Sequence, residues 1–237
     1  MKQNKRFISY MDILGFKNIS IDNDRLEHVF SFYDSFLDDK KYTKLDYSVF
    51  SDTIIVYSKD DSEESLKQII LKSSEILYSM LIERIPMNGC ISYGDIFHKE
   101  TKKGLIISGR PILDALNYQE NVDWIGVIIS PNLIDNYHHN IEIFNELSIV
   151  LAPYQYIPLK NKDNVENLTG FVIKPYKSSS MELGKIADSL EYLRLSAPNA
   201  HSQNKYINTI KFLLTNIFNC APFNLDPKLI FEGFPPN

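Results

Sequence analysis

The chain has little to staple it and little positive charge. Among 237 residues only two are cysteine, Cys90 and Cys220. They fall in apolar surroundings at unrelated positions, so buried free thiols are expected rather than a disulfide. No uninterrupted apolar stretch reaches the length that a membrane span needs. The opening Met1-Lys2-Gln3-Asn4-Lys5-Arg6 passes at once into a strand-like run and does not read as a secretory leader. A cytoplasmic location and no membrane partner are therefore expected. Lys and Arg number 25 against 30 Asp and Glu, a net charge of −5. That balance disfavours an extended nucleic-acid surface, while a small anionic ligand stays compatible if metal ions screen it. What the chain does have is aromatic bulk: 14 Tyr and 14 Phe supply a core for one large domain or a domain with an appendage.

Hydrophobic spacing predicts a strand over 6–13, broken by Gly15, and a helix over 24–37 with Leu26, Val29, Phe30, Tyr33, Phe36 and Leu37 on one face. Residues 45–50 and 53–57 read as a hairpin turning on Ser51-Asp52. Asp61 is placed to cap a helix, with Glu64 at capping-box spacing and Leu66, Ile69, Ile70, Ile76, Leu77 and Met80 on its buried face. A second hairpin is predicted from 86–97, through a polar loop over 98–104 that includes Lys102 and Lys103, to 105–107. A helix over 111–119, a strand over 124–130 and a short helix over 131–137 follow. The order β-α-β-β-α-β-β-α-β-α predicts an α+β fold, an antiparallel sheet with helices covering one face. After about residue 140, strands over 150–157 and 170–176 surround a loop over 161–167. Two amphipathic helices follow, one on Leu183, Ile186, Ala187, Leu190 and Leu193, the other on Tyr206, Ile210, Leu213, Leu214 and Ile217. The expected division is a domain over 1–138 and an extension over 139–237, which either widens an interface or covers the sheet. The end, Phe234-Pro235-Pro236-Asn237, reads as a loose tail.

Two carboxylates stand out. Asp12 ends the apolar strand Ile8-Ser9-Tyr10-Met11, and Asp52 sits at the tip of the first hairpin. A carboxylate closing a hydrophobic strand is costly unless something binds it. Two of them at neighbouring strand ends suit hard divalent cations, which prefer oxygen ligands and bridge to phosphates. Position alone also allows a blander reading, with Asp12 capping the Gly15 turn and Asp52 serving as a turn residue. The adjacent His138 and His139 cannot both face one site from a helix.

Four ordered segments bear on that choice. Tyr10-Met11-Asp12-Ile13-Leu14-Gly15-Phe16 resembles the aspartate-isoleucine-x-glycine-phenylalanine signature of class III nucleotidyl cyclases. Phe50-Ser51-Asp52-Thr53 is similar to the hairpin that holds that family's second metal aspartate. Residues 89–95 (GCISYGD) resemble its glycine-isoleucine-x-x-glycine-glutamate strand, and residues 109–117 (GRPILDALN) its transition-state helix. Together they cover roughly residues 5 to 135 and imply a ferredoxin-like cyclase core. The resemblance implies two Mn2+ or Mg2+ ions held by Asp12, Asp52 and the backbone carbonyl of Ile13. It also implies attack of a ribose 3′-hydroxyl on the α-phosphate, and a homodimer with sites at its interface.

The departures are as informative. Where purine cyclases keep a base-reading lysine this chain has Ser48, and their second base-reading position falls on Ile106. Their transition-state asparagine and arginine fall on Leu113 and Asn117. Asn88 stands where short cyclases of this kind carry an arginine. The wording Asp-Ile-Leu-Gly-Phe resembles the pyrimidine cyclases of Pycsar antiphage systems, which make cyclic UMP or cyclic CMP for a separate effector protein. That resemblance implies UTP before CTP as substrate. It assigns base contact to Tyr10 and Ser48 and nearby packing or nucleotide contact to Phe16; Arg110 is a triphosphate candidate and Asn117 a catalytic one. Tyr10 reads equally well as a core aromatic. Two other outcomes stay open: a degenerate cyclase-like domain that binds nucleotide as a sensor, and a purine cyclase with unusual base contacts.

Overall fold

The first strand shows how the sequence builds the sheet. Phe7, Ser9, Met11 and Ile13 alternate with Ile8, Tyr10 and Asp12, so two faces of different chemistry arise from a period of two. Phe7, Met11 and Ile13 are buried in the main core, and the Ser9 hydroxyl accepts from Ser73 Oγ at 2.8 Å. The opposite face carries Tyr10 and Asp12.

The computed structural model describes residues 4–37, 40–102, 104–137, 141–160, 168–175 and 180–216. Its elements are β1 (Asn4–Ile13), α1 (Phe16–Ile19), α2 (Asn23–Leu37), β2 (Leu45–Phe50), β3 (Thr53–Ser58), α3 (Glu63–Ile82), β4 (Met87–Thr101), β5 (Gly104–Gly109) and α4 (Arg110–Asn121). They continue with β6 (Gly126–Ile129), α5 (Pro131–Tyr137), α6 (Ile141–Glu146), β7 (Leu151–Ile157), β8 (Leu168–Ile173), α7 (Ser180–Leu195) and α8 (Ala200–Asn216). The strands form one eight-stranded sheet in the order β2-β3-β1-β4-β6-β8-β7, with β5 paired to β4 off that path. Every pairing is antiparallel except β4 with β6. The α+β architecture and its element order are those expected, with two short helices, α1 and α6, added.

Helix α3 is the centre of the helical layer. Leu66, Ile69, Ile70, Ile76, Leu77 and Met80 are all fully buried, as their spacing predicts. Its burial extends further round, to Lys72, Ser73 and Ser74, because α3 packs against both the sheet and α7. On α2, Val29, Tyr33 and Phe36 are buried, while Phe30 and Leu37 stay 44% exposed at the edge of the predicted stripe.

Several details differ from those expected. The cap of α3 is Ser62, not Asp61: Ser62 Oγ accepts from Ser65 N, and the Asp60 carboxylate takes both serine hydroxyls. The second hairpin is longer than its apolar residues suggest, since His98–Thr101 pair with Gly104–Ile107 in an edge hairpin. Polar side chains are tolerated there because one side meets solvent. Residues Ser180–Ile186 and Ala187 begin the first C-terminal helix, but Ala187 is exposed while Ile186 and Leu190 are buried. The extension's hairpin continues the sheet, β8 pairing with β6 through Val127↔Ile173 and Ile128↔Val172. Trp124 stacks on Tyr154 at 5.9 Å and meets Phe212 edge-on at 5.2 Å, which fastens α8 to the same core. Cys90 is buried and free; Cys220, Ile217, His138, His139 and Lys103 lie outside the described residues. Among the described residues no helix is long and apolar enough to cross a membrane.

Candidate active site

Cross-strand register assembles the site. Directly opposed residues of antiparallel strands share a face. Phe50, Thr53, Asp12 and Asn88 therefore form one row across β2, β3, β1 and β4. Ser48, Ile55, Tyr10 and Cys90 form the next row on the same face. The hairpin tip is fastened to the end of β1 by Ile13 N donating to Asp52 O at 3.0 Å. Ser51 takes a left-handed φ of 58° to make that tight turn, and its carbonyl accepts from Tyr33 Oη at 3.3 Å.

Thr53 Oγ1 donates to Asp12 Oδ1 at 3.2 Å. With that proton committed, Tyr10 Oη donates to Thr53 Oγ1 across 3.4 Å. A relay of Tyr10, Thr53 and Asp12 thus orients the first carboxylate. Burial and the nearby Asp52 charge push the Asp12 carboxyl up to about 6, with Glu120 adding to the rise and the Thr53 bond opposing it. The Tyr33 phenol is pushed up by burial, then by Asp52 and Asp12. Neither aspartate forms an ion pair among the described residues. Two like charges held together without a cation are what a divalent ion would relieve. Among the described residues no cluster of three His, Cys, Asp or Glu surrounds them. The donor set fits a hard cation whose shell is completed by backbone carbonyl, water and phosphate oxygens.

The other predicted residues are placed as follows. Phe16 opens α1 just after Gly15, whose φ is 75°, and packs against the core. Helix α4 lies on the Asp12 side of the sheet, since Gln119 Nε2 donates to Asn88 Oδ1 at 2.7 Å and Asn88 Nδ2 donates to Gln119 O at 3.1 Å. Asn88 is fully buried, and that exchange engages both its amide oxygen and its amide nitrogen. The buried face of α4 is Pro111, Ala115 and Gln119. Arg110 and Leu113 point outward, Arg110 Nε donating to Asp114 Oδ1 at 3.2 Å and Leu113 being 64% exposed. Asn117 is exposed and its Oδ1 accepts from Asn121 at 3.0 Å. Ile106 is half exposed on β5. Within one chain, then, Asp12, Asp52 and Tyr10 lie together with Ser48 on the same face two strands away, whereas among the described residues no hydrogen bond or ion pair brings Arg110, Asn117 or Ile106 to them. Thr53, Tyr33, Gln119 and Glu120 were not foreseen. Thr53 was readable, because hairpin register sets it opposite Asp12; nothing in sequence marks the Tyr33 hydroxyl.

No protein-family model matches the chain, and no curated protein does. Solved structures do. Adenylate cyclases from Trypanosoma brucei in their monomeric state superpose with a TM-score of 0.50 at 11% identity, over 75% of this chain and 92% of that one. The fold is that of the class III nucleotidyl cyclases. The adenylyl cyclase CyaB from P. aeruginosa superposes at 0.49 with 13% identity, over 75% of this chain and 97% of that one. The guanylyl cyclase domain of the RhoGC fusion protein from Blastocladiella emersonii does so at 0.49 with 15% identity, over 73% and 98%. At such identities the likeness speaks to the cyclase fold alone. On that fold the Asp12/Asp52 pair lies where β1 and the β2–β3 turn meet.

Proposed function

We propose that the chain is a nucleotidyl cyclase acting on a pyrimidine nucleoside triphosphate, UTP before CTP, as the source of a cyclic nucleotide for a separate effector in antiphage defence. The observation that carries the catalytic part is the pair of carboxylates Asp12 and Asp52, which have no ion-pair partner among the described residues and whose strand ends are joined by the Ile13–Asp52 and Thr53–Asp12 bonds. Asp12, Asp52 and the Ile13 carbonyl would hold Mn2+ or Mg2+. When bound, such ions neutralise phosphate charge and make the attacking 3′-hydroxyl more acidic. The chain's own part is positional. Tyr10 and Thr53 aim one Asp12 oxygen and leave the other free, and the locked hairpin tip sets the spacing to Asp52. In-line attack of the ribose 3′-oxygen on the α-phosphorus then releases pyrophosphate.

The pyrimidine reading rests on the row beside the metal pair. Ser48 and Tyr10 share the Asp12 face on β2 and β1, and neither matches a purine-reading lysine. The Tyr10 hydroxyl is engaged by Thr53, so Tyr10 would limit space with its ring more than it would read a base edge. A homodimer is part of the proposal, since Phe50, 81% exposed, and Leu113 leave apolar surface around a site that Arg110 and Asn117 do not reach within one chain.

The test is incubation of purified protein with each of the four triphosphates and manganese, followed by chromatography of products. Cyclic UMP or CMP, lost in Asp12→Ala and Asp52→Ala, is the expected result. A purine product would overturn the base assignment and keep the chemistry. A sensor reading is favoured by Asn117 being occupied by Asn121 and by Leu113 at a transition-state position. Triphosphate binding in calorimetry with no turnover would establish it instead.

A further inference from the structure

Behind the metal loop lies a cavity whose charge runs against that of the chain. It encloses about 350 Å³ between the loop Leu14–Gly15, α1, the start of α2, the α3–β4 turn and the segment joining α7 to α8. Three cationic side chains line it, Arg25, Arg84 and Lys205, and among the described residues no carboxylate does. Acidic residues outnumber basic ones in this protein, so three cations around one hollow is a local reversal. None of the three forms an ion pair among the described residues. Hydroxyl and amide groups stand among them on Ser196, Ser202 and Asn18.

Arg84 is held in place, and Lys205 is half-buried. Arg84 takes a left-handed φ of 61°, unusual for a non-glycine residue. Its guanidinium stacks on the Tyr192 ring at 3.9 Å from the centroid, a contact supplied by α7. Lys205 is half-buried on α8, and its ammonium is pushed down by burial and by nearby Lys160, against the pull of Asp123. A cation under that pressure gains from a bound anion.

The hollow is separate from the carboxylate pair. Asp12 and Asn88 face the α4 side of the sheet. The cavity opens beside buried Ile19 and beneath α7 and α8, and α7 packs on α3 across the other face. The two sites share only the loop after Asp12, with Leu14 and Gly15 in the cavity wall.

We propose that this cavity is a second binding site, for a small phosphorylated or other polyanionic ligand, formed by the C-terminal helices against the loop that follows Asp12. Oligophosphate matches it: several charges within one small volume, acceptors only, and room for hydroxyl donors from Ser196 and Ser202. Occupation draws Arg25, Arg84 and Lys205 together and stiffens the Gly15 loop from behind. The extension thereby becomes an input to the site in addition to covering the sheet. This inference does not depend on the cyclase reading, because binding is measured with no metal and no turnover.

The experiment is calorimetry of the full chain with tripolyphosphate in excess chelator, beside Arg25→Gln/Lys205→Gln, Ser202→Glu and Asp12→Asn/Asp52→Asn variants. Saturable binding of one ligand per chain is expected. It should weaken at least about tenfold in the first two variants, some 1.4 kcal/mol, and stay within about twofold in the aspartate variant. Ser202→Glu places a carboxylate in the hollow without removing a cation, so it answers even if the double variant folds poorly. A final arm titrates UTP with manganese in the presence of saturating tripolyphosphate. Unchanged stoichiometry of UTP supports a separate ligand; competition at one common site makes the hollow a seat for the substrate's own phosphates and overturns the proposal. Absence of saturable binding overturns it, and so does loss of binding in the aspartate variant alone.

Discussion

Removing the charge of Asp12 should stabilise the metal-free protein, and the structure gives the size and pH range of the effect. Burial first, and Asp52 second, raise the Asp12 carboxyl from an ordinary 3.8 to about 6. The folded state therefore favours the protonated acid more than the unfolded chain does. Below about pH 4 both states are largely protonated and no penalty exists. As pH rises through 6 the folded protein must hold a charge that the unfolded chain carries freely, and stability falls. The full rise is worth about 3 kcal/mol, but the carboxyl is only half-buried, and solvent screening reduces this to about 1 kcal/mol. Asp12→Asn should then raise Tm by about 2–4 °C near pH 8 in chelator, for a chain of this length. The gain should vanish near pH 4. Manganese should reverse the order, stabilising the wild type and leaving the variant unmoved, because an ion that binds only the folded site adds stability. Thermal melts by circular dichroism at the two pH values, with and without metal, decide it. Equal gains at both pH values, or no gain near pH 8, would refute an electrostatic conflict at this pair.

Three further outcomes follow from the same geometry. Asn88→Arg should cost about 3 kcal/mol in urea unfolding, because position 88 is fully buried and engaged by Gln119; a stable variant with tighter triphosphate binding would contradict this. Gly89→Ala should cost about 2 kcal/mol, since a β-carbon there would meet Tyr10 O at 2.5 Å and Met11 Cγ at 2.8 Å; it should also lower manganese affinity by moving the strand that carries Asp12. Cys90 is buried and its thiol is pushed well up by burial, so a thiol reagent should label it only at the rate of unfolding, read by mass spectrometry after proteolysis.

Periodicity made the scaffold legible. The apolar positions of α3 and the strand alternation of β1 each need only one face to be decided, and burial decides it. The sheet's continuation through β6, β8 and β7 was not legible, because pairing between distant strands leaves no local signature. Lys72 shows the same limit. It is buried in α3, with the rings of Tyr42, Phe36 and Tyr47 around its ammonium, a contact between residues far apart in the chain that no helical period announces. The loop expected over 98–104 is shorter in the structure for the opposite reason: its polar residues look like a loop until an edge partner is known.

The site divides along the same line. Asp12 stands out because it closes an apolar strand and Asp52 because it sits at a hairpin tip, and register brings those two ends together. Gln119 was not, and it changes the reading of Asn88. The buried Asn88 side chain accepts from the Gln119 amide and donates to the Gln119 main-chain carbonyl, so position 88 is turned to α4 and not to phosphate. With Arg110 turned to Asp114 as well, the carboxylate face of one chain offers no free cation among its assembled residues. A triphosphate on that face must therefore draw its countercharge from metal ions, from a second copy of the chain, or from both. Activity that follows the square of protein concentration on dilution, at saturating manganese, would assign part of that charge to the second copy. Strict proportionality would leave it to the metal alone.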